Sequence, residues 1–216
     1  MKTWLSWSSG KDSAWSLHVL RGGSADVTGL FTTVNAAFDR VVMHAVRQTL
    51  VEAQARAAGL DLHVIEIPYP CANADYERIM GAFVAKARAE GVGAMAFGDL
   101  FLADIRAYRE QQLAGSGIEP LFPIWGLPTG ALAREMVAAG LCARITCVDP
   151  KQMPRRFIGR VFDTDFLDEL PETVDPCGER GEFHTFSYAG PMFCEPIAVA
   201  LGEIVERDGF VFADLC

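Results

Sequence analysis

Thr3-Trp4-Leu5-Ser6-Trp7-Ser8-Ser9-Gly10-Lys11-Asp12-Ser13 is the stretch that decides how this chain folds. Its first five residues alternate large and small side chains, as a short strand does. From Lys11 the spacing changes. Ala14, Leu17, His18 and Leu20 recur at helical intervals until Gly22-Gly23 stops them. Ser8 to Ser13 therefore joins a strand to a helix, where backbone amides and the helix N-terminus form an anion site. Small side chains at positions 8, 9 and 10 let the backbone approach a phosphate. Ser8, Ser9 and Ser13 add hydroxyls, and Lys11 adds charge. Asp12 would repel bare phosphates, so it calls for an accompanying metal ion or amine donor. The turn is not a Walker A loop, because an aspartate separates Lys11 from Ser13, and no GxGxxG fits. The plain alternative is an ordinary capped turn.

Working outward, Val27–Val34 is β-rich and a second helix is expected from about Arg40 to Ala58, closed by Gly59. Leu62–Ile67 reads as a strand, Asn73–Glu90 as a helix and Ala94–Phe97 as a brief apolar strand. This alternation predicts an α/β fold, a doubly wound and mostly parallel sheet of Rossmann-like form. Beyond it, Asp104–Leu113 is helical, and Leu121–Gly126 contains Pro123 and is an edge element or connection. Thr129 caps a helix running to Ala139, and Leu141–Val148 is a strand. After Pro150 come turn-rich pieces, then strand-like Ile197–Val205 and Phe210–Ala213. The expected division is residues 1–125 and a smaller C-terminal α+β domain, 126–216.

The 216 residues are 50% apolar and 22% charged, with a formal charge of -9, so general disorder is excluded and non-specific nucleic-acid binding is disfavoured. No apolar run is long enough for a membrane span, and the polar start does not suit a secretory leader. The six cysteines form no CxxC pair, and a reducing cytoplasm is the expected setting. A homo-oligomer is compatible with this composition.

Glu179, Glu182 and His184 form a polar cluster in a glycine-rich, otherwise apolar stretch. On a strand, Glu182 and His184 would share one side. There a carboxylate beside an imidazole can orient an ammonium nucleophile, take its proton or help hold magnesium. The plain alternative is a hydrogen-bonded turn network. Cys177, His184 and Cys194 match no common zinc spacing. Arg106 and Arg109, one helical turn apart, can clamp a carboxylate or phosphate, or lie on a solvated face with Asp104 and Glu110. Asp99 follows a strand's C-terminal end, where open α/β sheets gather ligands. Lys151, Arg155, Arg156 and Arg160 are the basic concentration in an acidic chain. His18, His44 and His63 are expected to be structural, and Trp4, Trp7, Trp15 and Trp125 to be core.

Ser8–Ser13 resembles the SGGKDS pyrophosphate loop of the adenine nucleotide alpha-hydrolase superfamily, with Ser9 in place of the first glycine. The run Asp175-Pro176-Cys177-Gly178-Glu179-Arg180-Gly181-Glu182-Phe183-His184-Thr185-Phe186, followed by Gly190-Pro191-Met192-Phe193, resembles the C-terminal signature of the diphthine–ammonia ligase family. Gly98-Asp99, Arg106, Arg109 and Phe122–Gly126 resemble that family's middle segments. Arg180 and His184 depart from the GGEFET reading of archaeal and eukaryotic members and look closer to a bacterial branch. The resemblance implies ATP and Mg2+ as cofactors. Ser8, Ser9, Gly10, Lys11, Asp12 and Ser13 would hold the triphosphate, with Asp12 as the metal ligand and Thr32 and Thr33 at the adenine and ribose edge. Lys11, Asp12, Glu182 and His184 are the implied catalytic set, and Gly98, Asp99, Arg106, Arg109, Glu179 and Glu182 the implied substrate set. A small-molecule or modified-protein carboxylate is adenylated, pyrophosphate leaves, and ammonia, free or from a partner, forms the amide. The alternatives are an RNA-modifying enzyme with the same loop and a non-enzymatic nucleotide sensor.

Overall fold

The computed structural model describes residues 1–35, 40–41 and 46–216. Its first sheet has five parallel strands in the order β4-β2-β1-β5-β6: β1 (Lys2–Ser6), β2 (Asp26–Asn35), β4 (Asp61–Ile67), β5 (Ala94–Ala96) and β6 (Glu119–Leu121). A two-residue strand, β3 (Arg40–Val41), pairs antiparallel with Val34 and Asn35 beyond the end of β1. The expected doubly wound α/β class is what the chain adopts.

Alternation along β1 explains how both faces are covered. Trp4 points into a cluster with Phe31, Met80, Phe83 and Val84, beneath α3 (Asn73–Ala89). Leu5 points the other way, against α1 (Lys11–Gly22) and α2 (Gln48–Ala58) through Ala14, Leu17, Leu50 and Val51. A period of two along the strand and 3.6 along each helix places these side chains without further instruction. The Trp4 indole also stacks on His63 with ring centroids 3.7 Å apart.

Winding runs one way from β1 through β2 to β4, then reverses to β5 and β6. The reversal leaves a crevice outside the carboxyl ends of β1 and β5, the position at which open α/β sheets bind ligands. The Ser8–Ser13 turn stands on one side of it. The turn after β5, leading into α4 (Ala103–Leu113), stands on the other.

The second sheet is antiparallel, in the order β8-β7-β10-β9: β7 (Cys142–Val148), β8 (Phe183–Ala189), β9 (Leu201–Arg207) and β10 (Phe210–Leu215). α5 (Thr129–Ala138) precedes it, and α6 (Thr164–Asp168) follows a 3-10 turn at Arg155–Phe157. One hydrophobic cluster joins Leu5, Trp7 and Leu17 to Leu132, Ile145, Phe162 and Phe183, so the two sheets share a core.

Four expectations are corrected. Helix α2 begins at Gln48, whereas residues 40–41 are strand; the intervening 42–45, with His44, lie outside the described residues. Thr129 is the first helical residue of α5 and not its cap, since Pro128 takes that position without a side-chain bond. Phe183–Ala189, placed among the turn-rich pieces and weighed as a strand only conditionally, is a strand, because it pairs along β7 and buries Phe183, Thr185 and Phe186. Trp125 is only half-buried, unlike Trp4, Trp7 and Trp15. Among the described residues, no helix is long and apolar enough to cross a membrane.

Candidate active site

The turn from β1 into α1 is shaped by one residue in the left-handed region. Ser9 has φ 70° and is fully buried, and its carbonyl accepts from Ser187 N at 2.9 Å and from Gln54 Nε2 at 2.9 Å. Gln54 in turn accepts from Trp7 Nε1 at 2.8 Å. The loop is thus held from α2 and from the second sheet at once. Ser8 Oγ donates to Ser13 Oγ at 3.2 Å, and Ser13 Oγ donates to the Gly10 carbonyl at 3.0 Å. Gly10 is the N-cap of α1 and supplies no side chain, so the helix starts without a side-chain cap from its own turn.

Lys11 is the hub. Its amide donates to Thr185 Oγ1 at 3.0 Å, and its ammonium donates to Asp12 Oδ2 at 2.9 Å and to the Cys177 carbonyl. The rings of Phe183 and Phe162 lie 5.2 and 5.6 Å from Nζ. Burial opposes its charge, but Asp12 and Glu179 outweigh burial and hold the ammonium pKa above its ordinary value. Burial pushes the Asp12 carboxyl up against the pull of Lys11. Asp12 Oδ1 is buried and has no hydrogen-bond partner among the described residues.

A cavity of about 250 Å³ opens here, lined by Ser8, Lys11, Asp12 and Ser13 from the loop. Phe97, Gly98, Asp99, Leu102, Ile105 and Arg109 line it from β5 and α4, and Cys177, Gly178, Glu179, Phe183, His184 and Thr185 from the C-terminal segment. Gly98 is glycine for a reason. A Cβ there would come within 3.1 Å of the Asp12 carbonyl carbon and the Ser13 nitrogen. Gly178, at φ 68°, would drive a Cβ to 2.8 Å from the Phe183 carbonyl.

Glu179 ties the two sides together by accepting from Leu100 N at 2.7 Å. Burial lifts its pKa to about 7, helped by Asp12 and Asp99 and opposed by the Leu100 and Phe101 amides. His184 is half-buried in the wall, and desolvation with the charge of Lys11 lowers its pKa to about 4, so it is neutral at pH 7. Asp99 sits 3.9 Å from Arg109 Nε, and burial raises its carboxyl while Arg109 pulls it down. Phe97 faces the Arg109 guanidinium at 5.1 Å.

Several expected site residues stand apart. Glu182 is buried but absent from the cavity wall. Its Oε1 accepts from Asp175 N at 2.9 Å and its Oε2 from Arg180 N at 2.9 Å, which is the turn network weighed as the alternative. The reason is its position one residue before β8, where the glycine-rich turn folds its carboxylate onto the backbone. Arg106 bonds Glu110 at 2.8 Å and stacks over Phe122 and Trp125 at 4.7 and 4.9 Å, away from the cavity. Thr32 and Thr33 lie on β2 against Val64 and Ile65 and do not line it. In the basic run, Arg155 pairs with Glu206 at 2.7 Å and Arg160 with Glu169 at 2.6 Å. Among the described residues no three His, Cys, Asp or Glu side chains gather to hold a metal, so Cys177, His184 and Cys194 form no zinc site. The sequence reading missed Cys177 and Thr185 as contacts of Lys11. It also missed Gln54, whose polar side chain within the apolar face of α2 was the available signal.

Comparison with known proteins places the chain in a family. The family model described as diphthamide synthase N-terminal domain matches residues 1–119, and that described as diphthamide synthase C-terminal domain matches residues 128–212. A human protein named diphthine--ammonia ligase is 32% identical over 101 residues, covering 44% of this chain and 38% of its own length. A Danio rerio protein of the same name is 31% identical over 118 residues, covering 52% of this chain and 46% of its own. The chain thus spans less than half the length of these curated relatives. With a loop of this form at the switch point, a C-terminal signature closing over it and both family models matched in order, the chain belongs to the diphthamide synthase family.

Proposed function

We propose that the protein is an ATP-dependent amide ligase that joins a substrate carboxylate to ammonia, the pair that the relatives' names specify as diphthine and ammonia. The observation that carries this reading is the convergence of both motifs on one cavity, with Lys11 bonded to Thr185 and Cys177 of the C-terminal segment as well as to Asp12. Residues 1–125 hold the nucleotide, and residues 126–216 hold the acceptor together with the wall that follows β5. A carboxylate oxygen attacks the α-phosphorus of ATP, the α–β bridge breaks and pyrophosphate leaves. Ammonia nitrogen then attacks the acyl carbon, AMP leaves and the nitrogen sheds a proton.

In this reading the amides of the first turn of α1 beyond Lys11, with Ser8, Ser9, Gly10 and Ser13, cradle the phosphates, and Lys11 stabilises the charge that builds on pyrophosphate. A single carboxylate with an unpartnered oxygen suits magnesium, which keeps most of its shell from water and phosphate; Asp12 would hold it. The metal, when bound, supplies charge neutralisation across the phosphates. Thr32 and Thr33, beyond the end of β1, meet the adenine and ribose edge. His184, neutral at pH 7, accepts or donates a hydrogen bond without adding charge. Gly98, Asp99, Arg109 and Glu179 meet the acceptor. Glu182 and Arg106 act through the turn and the helix that they brace.

The test is product analysis with ATP, magnesium, ammonium and a panel of carboxylates. AMP and pyrophosphate, released only with ammonium and carboxylate present and lost in Lys11→Ala, are the expected products. ADP, or unchanged ATP with every carboxylate, overturns the reading.

A further inference from the structure

Two buried polar atoms in the cavity have no hydrogen-bond partner among the described residues, Asp99 Oδ2 and Arg109 Nε, and they face each other at 3.9 Å. Unsatisfied buried donors and acceptors are rare and costly, and one of each at the wall of a ligand cavity calls for a ligand that satisfies both. The gap says what kind. A single bridging atom hydrogen-bonded to both at about 2.9 Å would have to hold its partners only about 85° apart, well inside the tetrahedral angle. Two atoms on one carbon fit better. The oxygen and nitrogen of a carboxamide lie about 2.2 Å apart, from bond lengths of about 1.23 and 1.33 Å. Two hydrogen bonds of about 2.9 Å, splayed by about 35°, then reach the wider-spaced pair of protein atoms. The charges fix the orientation: oxygen toward the guanidinium and N–H toward the carboxylate.

We propose that Asp99 and Arg109 form the amidation subsite, in which Arg109 Nε donates to the acyl oxygen of the activated carboxylate while Asp99 Oδ2 accepts from the incoming ammonia. The inference rests on the ligase reading and assigns the second half-reaction to these two residues. As the C–N bond forms, the C–O bond to AMP breaks, AMP leaves with that electron pair, and the proton shed by nitrogen passes to Asp99. Product amide, AMP and one proton account for every atom. The surroundings agree. Leu102 and Ile105 give this wall an apolar lining that disfavours water as a competing nucleophile. Phe97, stacked at 5.1 Å, fixes the guanidinium, and Gly98 sets Asp99 against the first turn of α1 beside the phosphate cradle. The charged groups about Asp99 are Arg109, Asp12 and Glu179.

The experiment separates the half-reactions, using a carboxylate on which the wild type releases AMP. Carboxylate-dependent exchange of labelled pyrophosphate into ATP, without ammonium, reads activation. AMP release against ammonium concentration reads amidation. Asp99→Asn is expected to raise the KM for ammonium about tenfold or more, and to lose far more in amidation than in exchange. Asp99→Glu is expected to recover part of that loss. Arg109→Met is expected to raise the KM for the carboxylate. Circular dichroism melts of each variant report its folding. An ammonium KM unchanged in both Asp99 variants, or a loss of exchange matching the loss of amidation, overturns the assignment. Absence of pyrophosphate exchange in the wild type with every carboxylate overturns the ligase reading itself.

Discussion

Single residues divide into those whose role follows from type and spacing and those whose role follows from a neighbour far along the chain. Lys11 belongs to the first kind. A lysine at the start of a helix behind two serines and a glycine reads as an anion binder from sequence alone. Ser9 carries a cost that the sequence could state only conditionally; its φ of 70° is met by two hydrogen bonds to its carbonyl from residues 54 and 187. Glu182 belongs to the second kind. The pattern Glu-Phe-His reads as a shared polar face, yet its carboxylate is consumed by the amides of Asp175 and Arg180. No local rule announces a turn folding back seven residues to meet it. Its removal should therefore act on stability first. Glu182→Ala strands two buried donors and is expected to cost about 2–5 kcal/mol, and Glu182→Gln, which keeps one acceptor, roughly half as much. Urea melts measure both losses. Loss of AMP release without a shift of the unfolding midpoint would return Glu182 to the chemistry.

At the level of elements, periodicity specified the parallel sheet because each strand and helix carries its own repeat. The strands at Leu62–Ile67 and Leu141–Val148 and the helix from Asn73 fall where spacing puts them. The start of α2 escaped because Arg40–Arg47 has helical spacing, while the pairing of Arg40 and Val41 with the end of β2 depends on a partner outside the segment. The same reason hid β8, a glycine-flanked run that becomes a strand by pairing along β7. Where two elements meet closely, a glycine marks the place. The turn after β5 passes so near α1 that a methyl on Gly98 would press on the Asp12–Ser13 peptide at 3.1 Å, backbone that cannot swing aside. Gly98→Ala is expected to displace the start of α1 by a few tenths of an ångström and to cost about 1–3 kcal/mol. It should also raise the KM for ATP several-fold if the displaced amides are, as proposed, those that cradle the phosphates. A steady-state ATP titration beside a thermal melt checks both, and an unchanged KM would mean that the cradle lies elsewhere.

Across the whole molecule, the shared core makes the two sheets one thermodynamic unit, so groups at their junction bear on global stability. Two of them work in opposite directions. His184 is held near 4, below its ordinary 6.5, by desolvation and then by Lys11. Between those values the unfolded chain binds the extra proton, so its contribution is complete above about 6.5 and is lost as pH falls toward 4. Glu179 is held near 7, above its ordinary 4.5, by desolvation and then by Asp12 and Asp99 against two amide hydrogen bonds. Here the folded chain binds the extra proton, so its contribution is complete below about 4.5 and is lost as pH rises through 7. From pH 4.5 to 6.5 the two slopes oppose, each at most about 1.4 kcal/mol per pH unit, and Glu179 falls short of that because its partial exposure admits solvent screening. Urea unfolding at pH 4.5, 5.5, 6.5 and 7.5 should separate them. Relative to the wild type, Glu179→Gln is expected to gain stability with rising pH across this window, and His184→Gln to lose it. Curves for both variants running parallel to the wild type would mean that neither group is held away from its ordinary value, and that the junction between the sheets is open to water.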